Sequence, residues 1–234
     1  GDVDSVARAQ KLGIDVIIVD HHVPAGPLPN AFAILNPKRS DCLYPEKMLC
    51  GSGVIWKVIC AVLQYTEFKK KYSVTEGWEK WLLDMAGLST IADMVPLQKE
   101  NRMIAYYGLK VLRKSPRPGL RALLREARAN QAFLTEEDVG FTIGPRINAA
   151  SRMDVPLRAF ELLSTEDEAT GVDRARHLAA LNDERKSSVA RMVKDAKRLL
   201  RDRDLREVIV VGNPSWRVGV VGIVANQLAE EFDR

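Results

Sequence analysis

The stretch IDVIIVDHHVPAG, residues 14–26, ends an apolar run in Asp20, His21 and His22. The chain has 3 histidines in 234 residues, and two of them stand side by side here. Imidazole and carboxylate together suit Mn2+, Fe2+ or Zn2+, and Mg2+ less well. In open α/β sheets, functional groups gather beyond the carboxyl ends of strands. An ionisable cluster at such a place is costly unless it is used. The triplet therefore reads as a metal or phosphate site, against the plainer alternative of a surface turn with incidental histidines.

Three further stretches carry residues able to do chemistry. LLDMAGLSTIADMVPL sets Asp84 and Asp93 in an otherwise apolar segment. Asp93 follows where that run breaks, and could complete a metal site with the histidines. Asp84, between Leu83 and Met85, reads equally well as a polar helix face or cap. FTIGPRINAASRM places Arg146, Asn148, Ser151 and Arg152 among small residues beside a Gly-Pro turn. Small residues let a ligand approach the backbone, and guanidinium groups grip phosphate oxygens two at a time. Two solvated loop arginines are the even alternative. Finally, GNPSWRVGVVGIVAN leads Gly219 and Gly222 into a helix whose free N–H groups could hold a phosphate. The spacing matches neither the dinucleotide fingerprint nor a P-loop.

These groups need elements to position them. VDSVARAQKLG has helical spacing and a Gly stop, and DVIIV reads as a short strand apolar on both faces, as a central parallel strand is. Helix, turn and buried strand in that order predict a layered α/β fold, a parallel sheet flanked by helices. A Pro-punctuated loop leads to a second strand, AFAIL, and another loop. Helices are expected over residues 54–66, from Trp78 through the Asp84–Asp93 segment, and over NRMIAYYGLKVLRKS and GLRALLREAR. Thr135 with Asp138 three residues on has the pattern of a capping box. From Thr165 to about Arg203 the chain is charged, helix-favouring and free of Pro. A helix of ~40 residues would be ~60 Å long and usually bridges two domains or lies along one. Its apolar stripe is Val189, Val193, Ala196 and Leu200. REVIVVGN then reads as a new strand, opening a second α/β unit with the helix after Gly219.

The bulk composition narrows the class. With 46% hydrophobic residues the chain can bury a core, and no apolar run approaches the ~20 residues that span a bilayer. Cys42, Cys50 and Cys60 are an odd set without C-x-x-C spacing, which argues against a structural zinc site or a disulfide framework and suits the cytoplasm. A net charge of +4 permits an anionic partner without demanding one. The start at GDVDSVARAQKLG and the stop at NQLAEEFDR suggest an internal piece of a longer protein.

All four stretches, in this order, resemble one family. VIIVDHHVP is similar to the signature that names the DHH phosphoesterases, and LSTIADMVPL to their later aspartate motif. IGPRINAASRM, WRVGVVGIVA, ILNPKRSDCLYP and RPGLRALL resemble segments of the RecJ branch of single-stranded-DNA exonucleases. The resemblance implies a site for two metal ions, Mn2+ or Mg2+, that hydrolyses phosphodiesters and processively releases mononucleotides from a 5′ end, in DNA repair and recombination. It implies His21 and Asp93 as metal ligands, with His22 touching metal or scissile phosphate. Asp20 would orient the imidazoles. Arg152 and Asn148 would hold the phosphate, with Arg146, Ser151, Arg217, Gly219 and Gly222 as further substrate contacts. Single-stranded DNA is the implied partner, and a single-strand-binding protein a candidate one.

By the same resemblance, residues 1–164 form the DHH domain, 165–205 a connecting helix, and 206–234 the beginning of a DHH-associated substrate-gripping domain. Further carboxylate ligands belong upstream of residue 1, so the chain by itself is expected to be inactive. Arg217 stands where the family commonly has histidine, and Ser89 where it usually has glycine. Two alternatives have the same motifs. One is a DHH phosphodiesterase for short oligonucleotides or cyclic dinucleotides, and the other a non-catalytic DNA-binding or scaffold relative.

Overall fold

The computed structural model describes residues 3–201, 203 and 208–233. It is an α/β structure with a small parallel sheet and many helices. Its contacts divide the chain into two units, Gly1–Ser115 with Gln131–Gly140, and Pro116–Asn130 with Phe141–Arg234.

The first unit opens with helix α1 (Val3–Lys11), which stops before Gly13 at φ 71°. Strand β1 (Ile17–Val19) pairs in parallel with β2 (Ala33–Leu35), Ile18 opposite Ile34. Parallel strands need a crossover of about a dozen residues or more; the Pro-rich segment between them supplies it without a helix. The expectation of a strand buried on both faces is corrected: Ile17 is 60% exposed, and among the described residues β1 has one strand neighbour.

Four helices follow: α2 (Gly51–Val62), α3 (Thr66–Lys71), α4 (Leu83–Ala92) and α5 (Lys99–Leu112). Helix α2 starts earlier than its apolar run because Cys50 caps it, Sγ accepting from the Gly53 N–H at 3.4 Å. The helix expected from Trp78 begins as a 3-10 turn, Trp78–Leu82, and becomes α-helical at Leu83. Helices α4 and α5 approach backbone to backbone at Gly87 and Gly108, where a Cβ on either would stand 2.6 Å from the other's Cα. Leu49, Val54, Leu83, Ala86 and Ile104 form the core beneath β1.

The second unit is helical: α6 (Pro118–Glu126), α7 (Gly144–Met153), α8 (Leu157–Ser164), α9 (Glu168–Leu200) and α10 (Val218–Phe232). A π-helical turn, Asp138–Ile143, leads into α7. The capping box forms, with the Thr135 N–H donating to Asp138 Oδ2 at 2.9 Å and the Asp138 N–H to Thr135 Oγ1 at 3.3 Å. Helix α9 has 33 residues, about 50 Å at 1.5 Å per residue. It is capped by Asp167, which accepts from the Thr170 N–H, and α6, α7, α8 and α10 all pack on it. Val189, Ala196 and Leu200 of the expected stripe are buried, and Val193 packs beside them. Of the strand expected in REVIVVGN, residues 206 and 207 lie outside the described residues. Residues 208–211 carry no strand pairing, and Val208 and Val210 are each 78% exposed.

Candidate functional site

The DHH turn is built by Asp20. Its Oδ1 accepts from the His21 N–H at 2.7 Å, the His22 N–H at 3.2 Å and the His22 Nδ1 at 2.8 Å. Partial burial works against the charge. The His22 ring and the two backbone donors outweigh it and hold the carboxyl below its usual range. With Nδ1 donating to Asp20, His22 presents Nε2 outward on a ring that is 79% exposed. The His21 ring lies against it, centroids 4.4 Å apart and tilted by 51°, and is 20% exposed.

The turn is pinned from the end of β2. Asn36, 6% exposed, donates from Nδ2 to the His22 carbonyl at 2.8 Å and accepts from the Lys38 N–H at 2.9 Å. Sequence reasoning missed Asn36. Its signal was present, since in AILNP a polar side chain follows an apolar strand just as Asp20 follows β1.

Opposite His21 stands Asp93, the residue that ends α4. His21 Nδ1 and Asp93 Oδ2 are 3.6 Å apart, beyond hydrogen-bond length. Two donors each ~2.1 Å from a single ion lie at most ~4.2 Å apart, so one divalent cation fits between them, and the nitrogen-plus-carboxylate set suits Mn2+ better than Mg2+. Among the described residues no group of three or more His, Cys, Asp or Glu side chains is assembled for a metal. His21 leans on Gly51 at the start of α2, where a Cβ would stand 3.5 Å from its Cδ2. Cys50 Sγ, capping that helix, lies 3.3 Å from Thr90 Oγ1 of α4, which itself donates to the Ala86 carbonyl at 2.7 Å. Asp84 is away from this pair, buried at 2% exposure, accepting from the Ser115 hydroxyl and from the Met85 N–H.

The second unit assembles the arginine residues differently from a loop and a turn. GPRINAASRM is helix α7 rather than a Gly-Pro turn, with Pro145 in its first turn where a missing N–H costs nothing. Arg146 donates to the Thr142 carbonyl at 2.7 Å, and its Nε is buried without a partner. Asn148 and Ser151 are exposed, the Ser151 hydroxyl donating to the Asn148 carbonyl at 3.0 Å. Gly219 and Gly222 are inside α10, not in a turn ahead of it. A Cβ on Gly219 would meet the Arg152 carbonyl oxygen at 2.3 Å, so close approach of two helices demands glycine there; Gly222 faces open space. Arg152 donates to the Gly219 carbonyl at 3.2 Å. Arg217 donates to Glu184 Oε1 at 2.6 Å and contacts Met153 Sδ at 3.6 Å.

Residues 1–88 match the DHH family, N-terminal domain. Similarity to RecJ proteins continues through the rest of the chain. Over 227 residues it is 40% identical to the single-stranded-DNA-specific exonuclease RecJ of Bacillus subtilis (strain 168), covering 97% of this chain and 27% of that protein. A crystal structure of exonuclease RecJ bound to manganese superposes with a TM-score of 0.80 at 29% identity, covering 100% of this chain and 56% of that one. A structure of RecJ in complex with Mg2+ from Thermus thermophilus gives 0.74 at 30% identity, covering 95% and 32%. The chain thus spans roughly a quarter to a half of the length of these relatives.

Proposed function

We propose that this chain is the catalytic part of a RecJ-type exonuclease that hydrolyses single-stranded DNA from its 5′ end. The observation that carries the reading is His21 Nδ1 facing Asp93 Oδ2 across 3.6 Å at the carboxyl end of a parallel strand. The relatives' activity as single-stranded-DNA-specific exonucleases, and the manganese and magnesium in their structures, support it. His21 and Asp93 hold Mn2+ or Mg2+, with the remaining carboxylate ligands supplied by chain preceding residue 1. When bound, paired ions activate water and steady the leaving oxygen of an in-line displacement.

The chain's own residues position the strand. Asp20 fixes the His22 ring so that Nε2 is offered to the scissile phosphate. Arg152 adds positive charge where the phosphate's negative charge grows. Asn148, Arg146, Ser151, Arg217 and the α10 turn with Gly219 and Gly222 contact the backbone of the strand, and backbone contacts suffice for digestion that ignores base identity. The protein acts in the cytoplasm, a reducing compartment that suits its free cysteines, with a single-strand-binding protein presenting the substrate.

The test uses the complete protein on long single-stranded DNA labelled at the 5′ or the 3′ end, with Mn2+ or with chelator. Immediate, metal-dependent release of the 5′ label as mononucleotide is expected, and its loss in His21→Ala and Asp93→Ala. Cleavage confined to dinucleotides, or none in either metal state, would overturn the reading in favour of the short-substrate or non-catalytic relatives.

A further inference from the structure

Helix α9 carries the run LNDER, whose middle is unusual for an exposed, charged helix. Asn182 is 1% exposed. Its Oδ1 accepts both the Nε of Arg185 at 3.4 Å and a terminal amine at 3.1 Å. That fork fixes a guanidinium with an amide, which orients it without neutralising it. The acids beside it in sequence are engaged elsewhere, Asp183 with Lys186 and Glu184 with Arg217. Among the described residues Arg185 forms no ion pair. Lost hydration, and then the positive field of Arg152, push its guanidinium below the ordinary range.

Arg152 has no ion pair among the described residues either; it donates to the Gly219 carbonyl. Helices α7, α9 and α10 meet here, as Arg152 touches Gly219 and Arg217 touches both Met153 and Glu184. Arg217 is neutralised there, while two guanidinium groups within each other's field are not. Holding like charges partly out of water is unfavourable until an anion joins them, and arginine's planar fork matches phosphate oxygens.

The geometry points to Arg185 as the partner of Arg152 in gripping a phosphate group, with the buried Asn182 as the positioning residue that aims it. The inference rests on the exonuclease reading and names a contact in that substrate path. The phosphate is either the 5′-terminal group or an internal diester of the strand.

The complete protein, held in chelator so that nothing is cleaved, is titrated with fluorescent oligo-dT across a range of salt. Arg185→Gln is expected to weaken binding by on the order of tenfold and to lower the slope of log K against log salt by about 0.7, the loss of one single-strand phosphate contact. Arg185→Lys keeps the slope and loses affinity, because an ammonium cannot take the fork from Asn182. Asn182→Ala loses affinity with the slope kept. A loss confined to 5′-phosphorylated oligonucleotide assigns the pair to the terminal group, and an equal loss with a 5′-hydroxyl assigns it to a diester. Wild-type affinity and slope in Arg185→Gln overturn the inference. Should that variant not fold, wild-type affinity in Arg185→Lys overturns it. A wild-type protein that binds no oligonucleotide overturns the exonuclease reading itself, which is a different result from a wild type that binds and a variant that matches it.

Discussion

Replacing Gly87 by alanine tests how α4, the helix that ends at Asp93, is held. On an exposed helix the change would stabilise, because alanine is favoured over glycine by ~1 kcal/mol. Here the new Cβ would stand 2.6 Å from the Gly108 Cα, 3.1 Å from the Ile104 carbonyl oxygen and 3.2 Å from the Gly108 carbonyl carbon. All three are backbone atoms of α5, so no side chain can swing aside. Ordinary contact begins near 3.4 Å, so the helices must part by most of an ångström. Overpacking of this kind costs ~1–3 kcal/mol, occasionally more. With only backbone to yield, the cost falls in the upper part of that range, ~2–3 kcal/mol, and setting the ~1 kcal/mol propensity gain against it leaves a net loss of ~1–2 kcal/mol.

Urea denaturation of Gly87→Ala, followed by helical circular dichroism, reads that loss as a lower midpoint at unchanged slope. Gly108→Ala fails for the same reason, meeting the Leu83 carbonyl oxygen at 2.7 Å, and the double variant costs less than the sum because both changes part the same two helices. On the proposed metal-binding role of His21 and Asp93, the complete protein's affinity for Mn2+ is expected to fall too, since α4 ends in Asp93 and shifting it moves Oδ2 away from His21. A Gly87→Ala protein as stable as its parent would refute the reasoning, for it would mean that α4 and α5 do not touch at their glycines.

Ser115→Ala removes the hydroxyl that donates to Asp84 Oδ2 at 2.8 Å in a site where both residues are 2% exposed. A hydrogen bond to a buried charged group is worth ~1.5–3 kcal/mol, so the urea midpoint should fall by that amount; an unchanged midpoint would show Asp84 content with its other donors. Asp195 gives the acid response of the second unit. Its carboxyl is held below the usual range, chiefly by the Arg198 hydrogen bond and then by the Trp216 indole, with Asn213 adding a third. A depressed acid contributes stability above its unfolded value, and that contribution disappears as pH falls through the lower folded value. Thermal melts from neutral pH down through the carboxylate range should therefore show a steeper acid loss in the parent than in Asp195→Asn, and parallel curves would remove Asp195 from the account.

What could be read from the sequence depends on how local each interaction is. The DHH turn was legible because its interactions close within three residues: Asp20 accepts from the two amides and the ring that follow it directly. The capping box of Thr135 and Asp138 was legible for the same reason. Helix α9 showed itself through composition and stripe. The approach of Asp93 to His21 was not in any spacing: the break in the apolar run made Asp93 one candidate, and the likeness of LSTIADMVPL to a family motif singled it out over Asp84. Glycine was the most misleading residue. Gly219 reads as a turn before a helix, yet it lies inside α10, and it is glycine because the Arg152 carbonyl leaves no room for a Cβ, a demand made by a residue far away in the chain.

Arg185 sits between these cases. The i,i+3 spacing of Asn182 and Arg185 is visible in LNDER, and helix geometry alone puts the two on one face. The burial that turns the amide into a fixed support arises only in the folded unit, where other helices pack on α9. Sequence could therefore supply the pair but not its purpose. An unbalanced charge of this kind becomes visible only once every nearby acid has been given its partner. By that test Arg217, the residue that departs from the family pattern, is the arginine whose charge is already balanced, by Glu184, while Arg152 and Arg185 hold charge that an incoming phosphate would answer.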